Sequence, residues 1–307
     1  MKPDCLHPHD KVAIVAPSGR VFEKELEQNL TILKKWNLTP VFGENLWKEY
    51  NNGYWYAGSD EERAADLQWA LDAEEIKAIW CARGGYGAVH LLDKLNWNSF
   101  QKKPKWLIGY SDITALHQQI NNLGIQSLHA VTVKCLNRTY TKETFESLKK
   151  ALFEGKLNYS IEAKTWNQTG RVKAPLLGGN LSLIYSLRGT PTDLKGDDFI
   201  LFIEDWCENW YHLDRMLMNL KHSALLGKLK GMLVGSFTRM DVEEENPDFN
   251  SDFDKTSYSL IHNFMKEYKI PIGFGFPAGH IGDNRALILG NEVEMTVTKE
   301  KLTLEFS

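Results

Sequence analysis

The sequence predicts an α/β protein in which an N-terminal parallel-sheet domain is followed by a second α/β domain. Three observations carry this. Short β-branched runs alternate with helical patterns through the first half. A stretch of weaker pattern interrupts them at about residues 137–168. The last stretch, from Arg285 on, changes to strict alternation of apolar and polar residues. Strand–helix alternation implies a parallel sheet covered on both faces. The division expected is 1–136, a linker region 137–168, and 169–307. It agrees with a soft prior of about 150 residues per domain for a 307-residue chain.

Taken in order, Lys11–Pro17 is a continuous apolar run stopped by Pro17-Ser18-Gly19. Glu23–Trp36 has apolar residues at Leu26, Leu30, Leu33 and Trp36, a helical spacing. Thr39–Gly43 is a second strand. Ser59 opens the next helix as an N-cap, with Glu62 completing a capping box. Ile76–Gly85 is a third strand ending in glycines, and Ala88–Leu95 is helical. Lys105–Tyr110 is a fourth strand, Asp112–Gly124 a helix, and Gln126–Val133 a fifth strand. In the second half, Leu176–Thr190 reads as a glycine turn into a helix. Asp198–Asp205 is a buried strand ending in carboxylates, His212–Leu229 a helix, and Gly231–Phe237 a strand. Ser259–Tyr268 is a helix and Ile270–His280 a strand. The chain closes in antiparallel structure with a turn at Thr298–Lys301.

Composition narrows the function classes. Hydrophobic residues make up 43% and charged residues 25%, ordinary for a soluble globular protein. The net charge is −4 (36 basic, 40 acidic) without a basic run, so the footprint of a nucleic-acid binder is missing. The acidic stretch Asp241–Asp254 reads as a solvated loop. Cys5, Cys81, Cys135 and Cys207 are scattered, which argues against a disulfide framework or a zinc site. The first residues lack the apolar segment of a signal peptide, and no apolar run approaches the roughly 20 residues of a membrane span. A cytoplasmic protein is expected. "SGRVFE" after the first strand lacks the G-x-G-x-x-G of a dinucleotide site.

Three reactive groups share one address, the carboxyl end of a buried strand: Ser111, Glu204 and His280. In α/β sheets ligands sit beyond those ends. A serine needs a base because its hydroxyl is hardly ionised at neutral pH. Histidine suits that role, and a carboxylate orients it. A tight strand-to-helix turn pushes a serine outward where helix N–H groups are free. Each signal alone has a bland reading. Ser111-Asp112 is a helix cap, Glu204 a solvated carboxylate, and Arg83-Gly84-Gly85 a loop that needs positive φ.

Taken together, "VAIVAPSG", "YAGSDEERAADL", "ARGGYG", "GYSDITAL", "LLGGNLSLI", "FIEDWCENWYHLDRMLMNL" and "FPAGHIGDNRALILG" resemble the LD-carboxypeptidase family of serine peptidases. The microcin-immunity peptidases are a branch of that family. The resemblance runs from about Asp10 to Gly290. It implies a flavodoxin-like N-terminal domain and a C-terminal domain with β-barrel character, with the site at their junction. It implies Ser111 as nucleophile, with Glu204 and His280 completing the triad. The oxyanion hole falls to the N–H groups of Asp112 and of Gly84 or Gly85. It implies no metal and no cofactor, a cytoplasmic homodimer, and a murein tetrapeptide as substrate, cut before its terminal D-alanine in cell-wall recycling. No nucleic acid or membrane partner is expected.

The sequence departs from the family pattern in two places. His129-Ala130-Val131 stands where many members have His-Gly-Pro, and Trp206-Cys207 replaces small residues, with Trp210 nearby. Trp206 is a candidate to narrow the cleft or stack on substrate, and Arg285 to pair with a substrate carboxylate. Both have packing or surface alternatives. A microcin-immunity-like amidase acting on an aminoacyl-nucleotide conjugate, and a non-catalytic binding protein on the same scaffold, are the rival readings.

Overall fold

The structure is a computed structural model, and it describes residues 1–27, 29–134, 140–241 and 254–307. The acidic segment 242–253 and Cys135 lie outside the described residues.

The elements are, in chain order, β1 (Lys11–Val15), α1 (Glu23–Leu26), α2 (Thr31–Lys35), β2 (Thr39–Phe42), β3 (Tyr50–Asn51), β4 (Trp55–Tyr56), α3 (Asp60–Asp72) and β5 (Ile76–Cys81). There follow α4 (Asn98–Lys102), β6 (Trp106–Gly109), α5 (Thr114–Asn122), β7 (Ser127–His129), α6 (Lys142–Phe153) and β8 (Asn158–Glu162). The second half holds β9 (Gly170–Asn180), α7 (Leu181–Ser186), β10 (Phe199–Trp206), α8 (Trp210–His222), β11 (Leu229–Thr238), α9 (Lys255–Met265), β12 (Ile272–Phe274), β13 (Leu287–Leu289), β14 (Glu292–Val297) and β15 (Lys301–Phe306).

Two sheets carry the molecule. The first has the order β13-β7-β6-β5-β1-β2. It is parallel from β7 to β2, as the βα alternation requires. Its edge strand β13 pairs antiparallel with β7, Leu287 opposite His129. The second sheet has the order β12-β11-β10-β9-β14-β15-β8. Strands β9 to β12 are parallel and β9-β14-β15-β8 antiparallel. The long β9 spans the change, since Gly170–Pro175 pair with β14 and Leu176–Asn180 with β10. A bridge ties Ile272 of the edge strand β12 to Gln168, just before β9, but β8 remains an edge, the sheet is open and the expected barrel is not closed.

The two sheets share a core. Val12, Ile14, Trp80, Trp106 and Ile108 of the first pack in one cluster with Ile200, Phe202, Met295 and Leu302 of the second. The second sheet's other face, with Leu201 and Ile203, is covered by Leu213, Met216 and Leu217 of α8 and Tyr258 and Ile261 of α9. Side chains alternate across a strand. Glu204 therefore follows Ile200 and Phe202 toward the first sheet, and Asp205 follows Leu201 and Ile203 to the opposite face.

Several elements differ from their sequence patterns for local reasons. Glu23–Trp36 is two short helices rather than one. Ala88–Leu91 is a single 3-10 turn, a stretch too short to repay helix nucleation. The fifth strand shrinks to three residues. Gly178 and Gly179 are the end of β9 rather than a turn. Both have positive φ (131° and 141°), and a Cβ on Gly178 would lie 2.0 Å from the Phe202 carbonyl oxygen. The run Ile270–His280 leaves the sheet after Phe274, where Gly275 takes φ 75° and Pro277 lacks an N–H for the ladder. The Ser59–Glu62 capping box forms reciprocally, at 3.2 and 2.9 Å.

Candidate functional site

Ser111 lies two residues beyond β6 with φ 64°, a left-handed conformation that costs a non-glycine residue strain. Just before it, Gly109 leaves room for Ile113, whose Cγ1 would be 2.8 Å from an added Cβ. Just after it, the chain runs through a 3-10 turn into α5. The serine is thus held out at a helix start. Gly84 packs against it so closely that a Cβ there would meet Ser111 Cβ at 3.1 Å and Oγ at 3.4 Å.

Asp112 is 1% exposed, and its side chain braces this turn. Its Oδ2 accepts hydrogen bonds from Ser18 Oγ at 2.6 Å and from the Ala88 N–H at 2.8 Å. Gly19 N–H donates to the Gly84 carbonyl at 3.2 Å. The loops after β1, β5 and β6 are therefore tied to one another. Burial pushes the Asp112 pKa up, while the Ser18 and Ala88 bonds pull it down. Below the turn, His117 spans Ser127 Oγ (2.8 Å) and the Gly109 carbonyl (2.9 Å). Burial lowers its pKa to about 4.

Glu204 is fully buried, and its Oε2 accepts from His280 Nδ1 at 2.8 Å. Its other oxygen is buried without a hydrogen-bond partner among the described residues. Gly279 makes room for the carboxylate, since at φ 118° a Cβ there would lie 2.6 Å from Glu204 Oε2. A carboxylate can only accept, so Nδ1 carries the hydrogen and Nε2 is left as the accepting nitrogen. His280 is 8% exposed. Its ring stacks on Trp206 with centroids 5.6 Å apart and planes 14° from parallel, and Tyr110 lies 4.9 Å away.

The loop bearing His280 is pinned by hydrogen bonds. Ser236 N–H donates to the Ala278 carbonyl at 2.9 Å. Gly279 N–H donates to Asn284 Oδ1 at 3.0 Å, and Asn284 N–H to Thr144 Oγ1 at 2.9 Å. Thr144 stands on α6, in the stretch the sequence left without a clear role.

A cavity of about 540 Å³ gathers Ser111, His280, Gly84, Gly85 and Trp206 on one wall system, with Asp205, Asn180, Arg83 and Arg239. Asp205 is oriented inside it. Its Oδ1 accepts from Asn180 Nδ2 (2.8 Å) and the Trp206 N–H (2.9 Å), and its Oδ2 from the Ser182 N–H (2.9 Å). Burial, then the neighbouring Glu204, pushes its pKa well up.

Residues 12–130 match the LD-carboxypeptidase N-terminal domain, and residues 173–295 match the LD-carboxypeptidase C-terminal domain. The chain belongs to the LD-carboxypeptidase family. It is 32% identical to the probable murein peptide carboxypeptidase of Bacillus subtilis over 99% of this chain and 94% of that one. It is 29% identical to the murein tetrapeptide carboxypeptidase of Pseudomonas aeruginosa over 90% of each. A crystal structure of muramoyltetrapeptide carboxypeptidase from Oxalobacter formigenes superposes with a TM-score of 0.84 at 25% identity, covering 97% and 98% of the two chains. The protein is a serine-type carboxypeptidase, a hydrolase.

Not every sequence-predicted residue of this LD-carboxypeptidase comes to the cavity. Arg285 is absent from its wall and forms a two-point ion pair with Asp283, Nε–Oδ1 at 3.0 Å and Nη2–Oδ2 at 2.8 Å. Trp210, the first residue of α8, donates to Asp254 Oδ1 at 3.3 Å and packs, partly buried, against the core under α8 and α9. His129, at the departure from His-Gly-Pro, is fully buried beside Phe202, with neither ring nitrogen hydrogen-bonded among the described residues. Asn180, Asp205 and Arg239 escaped sequence reasoning. The first two lie inside motifs already noticed, at the ends of β9 and β10. Arg239 had no signal, being one arginine after a strand. Among the described residues, no helix is long and apolar enough to cross a membrane.

Proposed function

We propose that the protein releases the terminal D-alanine of a murein tetrapeptide by covalent serine catalysis, as a step of cell-wall recycling in the cytoplasm. The observation that carries this is the Glu204–His280 hydrogen bond in a cavity whose wall also holds Ser111. His280 Nε2 takes the Ser111 proton as Oγ attacks the carbonyl of the diamino acid's L-centre. The Asp112 N–H and an N–H of the Gly84–Gly85 turn stabilise the oxyanion, donors that cost no reorganisation. His280 then protonates the leaving nitrogen, the C–N bond breaks, and water releases the acyl group by the same route. Glu204 holds the imidazole and stabilises its charged form.

Incubation of tetrapeptide with wild type and Ser111→Ala, read by mass spectrometry, tests this. Wild type removes one alanine and the variant does not. Turnover of an aminoacyl-nucleotide conjugate with none on tetrapeptide would replace the substrate. Equal turnover by Ser111→Ala would remove the nucleophile.

A further inference from the structure

The two arginines on the cavity wall differ. Arg83 Nη1 donates to the Arg20 carbonyl at 2.9 Å. Arg239 sits just past β11 with φ 51°. Its Nε is buried and has no hydrogen-bond partner among the described residues. Its guanidinium carbon lies 5.3 Å from the centroid of the Trp206 ring, the same ring that stacks on His280. Among the residues lining the cavity the acidic side chain is Asp205, and its oxygens are occupied by Asn180, Ser182 and Trp206. Among the described residues lining the cavity, none offers this half-buried cation a free anion. Partial burial of a charge that has no partner among the described residues is costly, and an anionic group on a molecule bound in the cavity would offset that cost.

We propose that Arg239 binds the free carboxylate of the substrate's C-terminal residue, and so selects peptides that end one residue past the scissile bond. The inference rests on the carboxypeptidase reading above and adds to it the residue that makes the enzyme cut at a chain end. The geometry of the leaving residue supports the assignment. His280 must reach the leaving nitrogen, and the terminal carboxyl carbon is two covalent bonds away, about 2.5 Å from N–Cα and Cα–C lengths of roughly 1.5 Å. The carboxylate must therefore lie close to His280, and Arg239 lies against the indole of Trp206, whose ring stacks on that histidine. A guanidinium matches a carboxylate with two parallel hydrogen bonds, and its contact with the indole holds the fork in place. Trp206, which replaces a small residue of the family pattern, thus serves as the platform for this arginine.

The test compares tetrapeptide ending in D-alanine with the same peptide ending in D-alaninamide, for wild type, Arg239→Gln and Arg239→Lys. Wild type favours the acid by roughly 30–100-fold in kcat/KM, the size of a charge-assisted bond pair. Arg239→Gln loses that preference, chiefly through a raised KM for the acid, and handles the amide as wild type does. Arg239→Lys keeps part of it. A wild type indifferent to the carboxylate, or an Arg239→Gln variant that keeps the full preference, overturns the assignment. A second arm measures binding of both peptides to Ser111→Ala and to Ser111→Ala/Arg239→Gln by calorimetry. If neither peptide is turned over, the carboxypeptidase reading fails, and the binding arm alone decides for or against a carboxylate site at Arg239.

Discussion

Ser111 and His280 reach the same cavity by different means. Ser111 follows β6 within two residues, and the backbone itself aims it through a left-handed φ of 64° and a helix start. His280 comes six residues after the end of a three-residue strand, and side chains hold it: Asn284 on the Gly279 N–H, Thr144 on the Asn284 N–H, and Glu204 on the ring. A residue placed by a strand end is aimed by the fold. A residue placed in a loop must be tied from outside, and the ties come from distant parts of the chain.

Four experiments sharpen this contrast. The largest effect comes at the point where the two routes meet. Under the proposed mechanism, Glu204→Gln keeps the shape but cannot stabilise the imidazolium, and kcat on the tetrapeptide should fall roughly 10⁴-fold, as for Ser111→Ala. A loss of less than tenfold would remove Glu204 from the triad. Next comes the support beneath the serine turn. His117 has a pKa of about 4 in the fold against about 6.5 unfolded. Between those values the unfolded chain binds a proton that the folded one does not, so stability falls as pH drops from 6.5 to 4. At about 1.36 kcal/mol per pH unit, the 2.5-unit gap amounts to up to ~3 kcal/mol. Urea unfolding of wild type should show this loss added to the one from buried His129, and His117→Gln should show the smaller loss. Matched pH profiles would sink the idea.

Thr144→Val removes the tie from α6 to the histidine loop and strands the buried Asn284 N–H. It should cost about 1–3 kcal/mol and lower kcat severalfold, although Thr144 has no place on the cavity wall. The matching change at the serine turn, Ser18→Ala, leaves the Asp112 carboxylate its Ala88 bond and should cost less. Thr144→Val with wild-type stability and turnover would erase the distinction. The smallest effect belongs to Lys173→Ala, which breaks an exposed cross-strand pair with Glu292 at 2.8 Å. Thermal melting should move by no more than the equivalent of ~1 kcal/mol.

The same contrast explains what was legible in the sequence. The parallel sheet, the capping box at Ser59, and the addresses of Ser111 and Glu204 follow from apolar runs and the residues that end them, which are local signals. The strand expected to run to His280 stops at Phe274, because Gly275 and Pro277 break a ladder whose apolar pattern continues. The brace from Asp112 to Ser18 and the tie from Thr144 to Asn284 span 94 and 140 residues, and no spacing rule reaches so far. Arg285 looked available because it was close in sequence to His280, and its capture by Asp283 is a matter of side-chain direction. The barrel expected of the second half falls short of closure because the bridge from Gln168 to Ile272 ties β12 only to the lead-in of β9, and β8 stays an open edge.

Strand β13 starts seven residues after His280 and hydrogen-bonds to β7, which is itself bonded to the serine's own strand, β6. His280 is thereby indexed against Ser111 through a shared ladder. Slippage of β13 by one residue would shift its backbone by about 3.3 Å and turn its apolar side chains to the wrong face. Parting the halves of the chain, by proteolysis or split expression, would uncover β7 as a raw edge prone to self-association.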